Sequence, residues 1–196
     1  MILHYLTLGQ MTRGLIVFFY GMTGTGKSTV ARFIAERYGA EWIRSDELRK
    51  QIQGIKSTEH HLEDFGKGIY SAEMTEKTYN KMIRLARDAI SRGKVCCLDA
   101  SFGLASQRAK VLKLAKDTGV PYLLIHTKAP EKMVRQRLDK RLRKSKDPSD
   151  GRWEIYTVQR KRFEPPVEIP AERILELDTS KRFESIIEKR LGVLIS

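Results

Sequence analysis

Lys27 and Ser28 close the run Gly21-Met22-Thr23-Gly24-Thr25-Gly26-Lys27-Ser28-Thr29, a GxxxxGK[ST] spacing suited to holding a polyphosphate. Glycines at 21, 24 and 26 let the backbone come close to an anion and adopt positive φ, so that N–H groups turn inward onto phosphate oxygens. A helix beginning near Lys27 adds the positive end of its dipole. The Lys27 ammonium is then placed to reach the β and γ phosphates, and the Ser28 hydroxyl is the expected protein ligand for Mg²⁺. Thr23, Thr25 and Thr29 fill the remaining positions of the ATP cradle.

Phosphoryl transfer also needs an acceptor in line, a group to take its proton, and positive charge on the group in transit. Asp46 follows a short apolar segment and is placed to face the γ phosphate, where it would accept a proton from a hydroxyl. It is equally suited to capping the next helix, as is Ser45. Arg49, three residues on, shares the helix face of Asp46 and offers a planar fork to an anionic acceptor. Asp99 ends a buried apolar run and needs a partner there: either a Mg²⁺-bound water or Arg49. Further on, Arg137 and Arg141 are four apart and so lie on one helix face, from which a closing segment would carry them onto the phosphates. Lys140, Arg143, Lys144 and Lys146 read as a solvated cationic face.

The elements that must position these residues follow from periodicity. Leu15–Tyr20 is a β-branched and aromatic run that reads as a buried strand. A helix over Ser28–Tyr38 closes at Gly39, and Ala40–Arg44 is a second strand. The polar stretch 54–68 reads as a mobile surface loop, and its His60 and His61 lack partners at ligand spacing. Ser71–Arg92 is a long amphipathic helix closed by Gly93. Val95–Asp99 is a third strand, Leu104–Thr118 a helix, and Tyr122–His126 a fourth strand. Pro130 opens a basic helix from Glu131 towards Lys144, and after a polar break to Gly151 a helix returns over Trp153–Phe163. Ile174–Asp178 is a fifth strand, with Thr179 or Ser180 capping a last helix that reaches Leu191. Strands alternating with helices predict an α/β protein with a five-stranded parallel sheet between two helical layers. Ligands then bind beyond the carboxyl ends of the strands, where the Gly-rich loop, Asp46, Asp99 and the residues after His126 all fall.

The chain has 196 residues, enough for one domain with a proper core. Within it, residues 1–13 read as an N-terminal extension and about 131–165 as a lid. Its longest apolar run is too short to cross a bilayer, and its first residues carry no secretory pattern, so a cytoplasmic protein is expected. Cys96 and Cys97 are adjacent within a strand and point to opposite faces, which reads as two buried thiols. Lys and Arg number 37 against 24 Asp and Glu, a net charge of +13. That excess attracts polyanions, nucleotides and nucleic acids among them.

The runs Gly21–Ser28, Ser45-Asp46-Glu47-Leu48-Arg49, Leu98-Asp99-Ala100-Ser101-Phe102, and Ala129-Pro130-Glu131 leading to Arg137-Leu138-Asp139-Lys140-Arg141 resemble the small P-loop kinases of the polynucleotide kinase, zeta toxin and chloramphenicol phosphotransferase group. The similarity runs from Leu15 to about Leu191. It implies that Asp46 is the general base, that Arg49 binds an acceptor phosphate, and that Arg137 and Arg141 clamp the donor. The stretch 54–68 and the residues around Phe102 are then expected to shape the acceptor pocket.

The leading expectation is an ATP-dependent kinase acting on a hydroxyl, with a 5′-hydroxyl nucleic-acid end as the first acceptor to test because the charge suits it. The second is a kinase for a small molecule of the antibiotic, sugar or nucleoside kind. A third is an ATP-binding regulatory module that hydrolyses slowly. A ring-forming ATPase is not expected, because no room remains for a second helical domain.

Overall fold

The computed structural model describes residues 14–55, 68–143 and 149–195. The stretches around His60, His61, Lys144 and Lys146 and the N-terminal extension therefore lie outside the described residues. Strands β1 (Leu15–Tyr20), β2 (Glu41–Arg44), β3 (Val95–Asp99), β4 (Tyr122–Lys128) and β5 (Ile174–Asp178) form one sheet in the order β2-β3-β1-β4-β5, and every pairing is parallel. The helices are α1 (Lys27–Tyr38), α2 (Ser45–Ile52), α3 (Ala72–Ser91), α4 (Ala105–Thr118), α5 (Glu131–Arg143), α6 (Trp153–Arg162) and α7 (Glu184–Ile195).

The two-residue period of β1 divides the core. Ile16 and Phe18 pack with Met82, Ala86 and Ala89 of α3 and Val111 and Leu114 of α4. Leu15, Val17 and Phe19 face the other way, onto Val30 and Ile34 of α1 and Ile187 and Leu191 of α7. A strand buried on both faces is what a parallel sheet between two helical layers demands. Cys96 joins the first cluster and Cys97 the second, both fully buried, as their adjacency in a strand requires. Chain order reverses beside β1, so the loops after β1 and β3 open onto one crevice.

Three expectations need correction. Neither Ser45 nor Asp46 caps α2: Arg44 is the N-cap residue and makes no side-chain cap bond, while the Ser45 hydroxyl donates to the Asp99 carbonyl at 3.1 Å. Asp46 is thereby left within the first helical turn. Nor does Thr179 or Ser180 cap the last helix, which begins only at Glu184. The Thr179 hydroxyl donates to the Thr25 carbonyl at 2.8 Å, and Ser180 is held by the Asp178 carboxylate. Finally, β4 continues two residues past His126, because Thr127 and Lys128 still pair with Leu177 and Asp178.

The α5–α6 segment has a small core of its own, where Val134, Leu138 and Tyr156 pack with Trp153 and with Met22 of the Gly-rich loop. Trp153 and Tyr156 stack with ring centroids 4.9 Å apart, and Arg135 lies over Trp153. A second tie runs behind the sheet tip. The fully buried Arg108 of α4 donates to the Phe102, Glu164 and Pro165 carbonyls and pairs with Glu168. It fastens the strap after α6 to the loop after β3.

Candidate active site

The Gly-rich loop takes its shape from two residues in left-handed backbone, Gly24 at φ 79° and Gly26 at φ 93°. Both also lack room for a Cβ. At Gly24 it would press on Val134 and Leu138 of α5, and at Gly26 on the Thr179 side chain. The loop is therefore fixed by close neighbours as well as by its own torsions. Thr25 turns inward, its hydroxyl 2.7 Å from the Met22 carbonyl and 2.8 Å from Thr127 Oγ1.

Lys27 opens α1 and folds back over the loop, its Nζ donating to the Gly21 and Met22 carbonyls at 2.9 Å each. Burial is the largest cause that brings its ammonium down to about 8, while the Asp99 and Asp46 charges pull the other way. A half-buried cation that has already lost part of its hydration meets phosphate at a reduced desolvation cost.

Asp99, at the tip of β3, is buried. It accepts from the Ser28 hydroxyl and from Trp42 Nε1 at 3.1 Å, with Arg44 Nε 3.8 Å away. Burial holds its carboxyl above the usual range against these partners. Arg49 does not pair with it. Its Nη1 donates to the Ile69 carbonyl at 2.8 Å and to Thr75 Oγ1 at 3.2 Å, and the guanidinium lies over Tyr70. Arg49 is only 6% exposed, and its Nε has no hydrogen-bond partner among the described residues.

These groups meet around one cavity of about 250 Å³. Lys27 and Ser28 line it, as do Thr23, Gly24, Gly26 and Thr29 of the loop. Asp46, Arg49 and Asp99 also line it, as does Arg141 of α5. The Asp46 carboxylate makes no hydrogen bond to another described residue. Gly21 and Thr25 lie behind the lining, under the loop. Arg137 is also outside it: its guanidinium donates to Thr179 Oγ1 at 2.9 Å, the Thr179 carbonyl at 2.8 Å and the Gly24 carbonyl at 3.3 Å. Of the two arginines expected to act together, Arg141 faces the cavity and Arg137 braces the back of the loop.

A family model for the AAA domain, AAA_33, matches residues 16–166. The chain belongs to that family. An uncharacterized protein of Mycobacterium tuberculosis is 36% identical to it over 100 residues, 50% of this chain and 20% of that protein. The match thus spans about a fifth of that curated relative. Among solved structures, the Mycobacterium tuberculosis APS kinase CysC in complex with AMPPNP and APS superposes with a TM-score of 0.65 at 18% identity, covering 94% of this chain and 99% of that one. A gluconokinase from Sinorhizobium meliloti gives 0.60 at 19% identity, covering 93% and 92%. The AAA_33 chain has the fold of P-loop kinases.

Several lining residues of this AAA_33 chain escape a reading by motif. Tyr70 and Thr75 come from the start of α3 and the 3₁₀ turn before it, Ser101 and Gln107 from the β3–α4 corner, and Asp150 and Gln159 from the α5–α6 segment. Asp150 accepts from the Tyr70 hydroxyl at 2.8 Å and pairs with Lys50 Nζ at 3.4 Å, where both side chains are 1% exposed. Burial foremost, then the Asp46 and Asp150 charges, push the Tyr70 phenol far above its ordinary range. The signal that would have found Lys50 lay in the sequence: on α2 it stands four residues after Asp46, on the same face.

Proposed function

We propose that this chain is an ATP-dependent phosphotransferase whose acceptor is a small hydroxyl compound bearing an anionic group. The observation that carries this reading is the sharing of one cavity by Lys27, Ser28, Asp46 and Arg49. Among the described residues the Asp46 carboxylate has no competing hydrogen bond, and the buried Arg49 Nε has none. A cavity of about 250 Å³ bounded by the α5–α6 segment suits a compact molecule better than a strand. The fold of APS kinase and gluconokinase supports the same class.

In this reading the loop amides and Lys27 hold the ATP phosphates, with Arg141 of the lid over them. Asp46 takes the proton of the acceptor hydroxyl as that oxygen attacks the γ phosphorus, and ADP leaves. Arg49 holds the anionic group of the acceptor so that its hydroxyl points at Asp46. Arg137 keeps the loop in shape through Gly24 and Thr179. Ser28 and Asp99 present oxygen donors only, one bonded to the other, which fits Mg²⁺ held by Ser28 and through water by Asp99. When bound there, Mg²⁺ supplies neutralisation of charge on the phosphates. No described helix is long and apolar enough to cross a membrane, and a cytoplasmic setting fits ATP chemistry.

A 5′-hydroxyl nucleic-acid end is the second reading, favoured by the charge of +13. Incubation with γ-labelled ATP, Mg²⁺ and two acceptor panels separates them. Label on sugar acids or other anionic small alcohols supports the first reading. Label on 5′-hydroxyl oligonucleotides, weakening steeply with salt, supports the second. Phosphate release without labelled acceptor in either panel would overturn both.

A further inference from the structure

The amide of Thr23 sits inside the Gly-rich loop, yet its hydrogen goes to a side chain 136 residues away. Thr23 N–H donates to Gln159 Oε1 at 2.7 Å, and both residues are 8% exposed. A backbone N–H can only donate, so the Gln159 amide must present its oxygen to the loop and its nitrogen elsewhere. That nitrogen, Nε2, donates to Ser101 Oγ at 3.4 Å. Ser101 follows β3 and lines the cavity beside Asp99. One amide on α6 therefore bridges the phosphate-side loop and the acceptor-side corner. With the amide reversed, the Thr23 N–H would face an NH₂ group and lose its acceptor.

The same loop residue is gripped a second time. A Cβ on Gly151, just before α6, would overlap the Thr23 hydroxyl and stand 3.1 Å from Arg141 Nη1. Any other residue there would have to push the Thr23 side chain aside. Thr23 is thus held through its amide by Gln159 and through its side chain by Gly151, and both contacts exist only while the α5–α6 segment is seated.

We infer that Gln159 is a positioning residue: it couples seating of the lid to the shape of the phosphate-binding loop and, through Ser101, to the acceptor side. The inference rests on the phosphotransferase reading, whose nucleotide binding the wild-type arm of the test measures separately. By occupying the Thr23 amide, Gln159 fixes the Met22–Thr23 peptide and so holds the turn that leads into Gly24 and the amides that follow. Lid closure and phosphate binding then favour one another, as two events sharing one loop conformation must.

The test uses the full chain and the probe Mg²⁺–AMPPNP. Gln159→Met keeps length and packing while removing both hydrogen bonds. Gln159→Glu restores an acceptor for the Thr23 amide. For Gln159→Met, titration calorimetry is expected to show about tenfold weaker AMPPNP binding, and amide exchange at Thr23 in the ligand-free protein to quicken at least tenfold. Gln159→Glu is expected to recover the Thr23 protection. AMPPNP affinity within twofold of wild type in Gln159→Met, whatever happens to its melting temperature, would show a packing role only and overturn the inference. A wild-type chain that binds no AMPPNP would overturn the phosphotransferase reading and this inference with it. Normal nucleotide binding and a normal Gln159→Met variant would remove the inference alone.

Discussion

In the proposed reading the donor wall of the cavity comes from one run, Thr23–Thr29, whereas the acceptor wall takes Asp46 and Arg49 from α2, Tyr70 and Thr75 from around the start of α3, Ser101 from just after β3 and Gln159 from α6. On the first wall the expected binding groups are chiefly backbone amides, whose direction is set by torsions at Gly24 and Gly26. On the second they are side chains, each needing its own support: the Phe102 loop by Arg108 and Tyr79, and Asp150 by Lys50 and Tyr70. A backbone cradle reads any triphosphate tail. A wall of side chains can be rebuilt residue by residue, which is how one fold serves different acceptors.

Two lysines bring out the difference. Lys50 is buried against Asp150 on the acceptor side, and Lys27 is held by carbonyls on the donor side. Lys50→Met removes a buried cation that pairs with Asp150, and denaturant unfolding is expected to show a loss of up to about 3–5 kcal/mol. Unchanged stability would mean that Asp150 is adequately held by its other partners, Tyr70 among them. Lys27→Met should leave stability equal or slightly raised, because burial works against its charge. The same variant should slow phosphoryl transfer by about 10²–10³-fold, as expected for losing one preorganised donor from the transition state. If both variants behave alike, the two walls do not divide the work in this way.

The contrast also explains what the sequence disclosed. The loop, β1 and α1 are local, so glycine spacing and a β-branched run suffice, and each of the five strands overlaps the run that the hydrophobic pattern marks, β4 extending two residues further. The helix caps were misread because Ser45 and Thr179 spend their hydroxyls on the Asp99 and Thr25 carbonyls, partners distant in the chain. Gln159 and Asp150 carry no motif, since what matters is which loop they reach when the α5–α6 segment folds back. Arg137 and Arg141 share a helix face, as their spacing implies, but Arg137 reaches Thr179 and Gly24 while Arg141 has Ser149 among its partners.

Smaller effects sharpen the comparison further. Arg49→Lys keeps the charge and loses the planar fork, so the KM for the acceptor should rise about tenfold with Mg²⁺–AMPPNP affinity unaltered; an equal change in both would place Arg49 on the donor wall. The donor wall in turn carries the pH dependence. Lys27 has a folded-state value of about 8 against 10.5 for a free lysine, so its contribution to folding stability grows as pH rises from about 8 toward 10.5, where the unfolded chain still holds the proton. Bound phosphates favour the ammonium and draw that proton back. AMPPNP affinity should therefore fall by less than tenfold between about pH 8 and 9, with proton uptake visible in buffers of different ionisation heat. A flat affinity with no proton exchange would remove Lys27 from the phosphates.

The central claim is that Asp46 faces the γ phosphorus as the base for the acceptor hydroxyl. Its most direct test is the rate of label transfer from γ-labelled ATP in Asp46→Asn, measured beside Mg²⁺–AMPPNP affinity on the same preparation. The account predicts transfer lowered by about 10²–10⁴-fold with affinity within twofold of wild type. Transfer at the wild-type rate, or transfer and nucleotide affinity lost together, would contradict it.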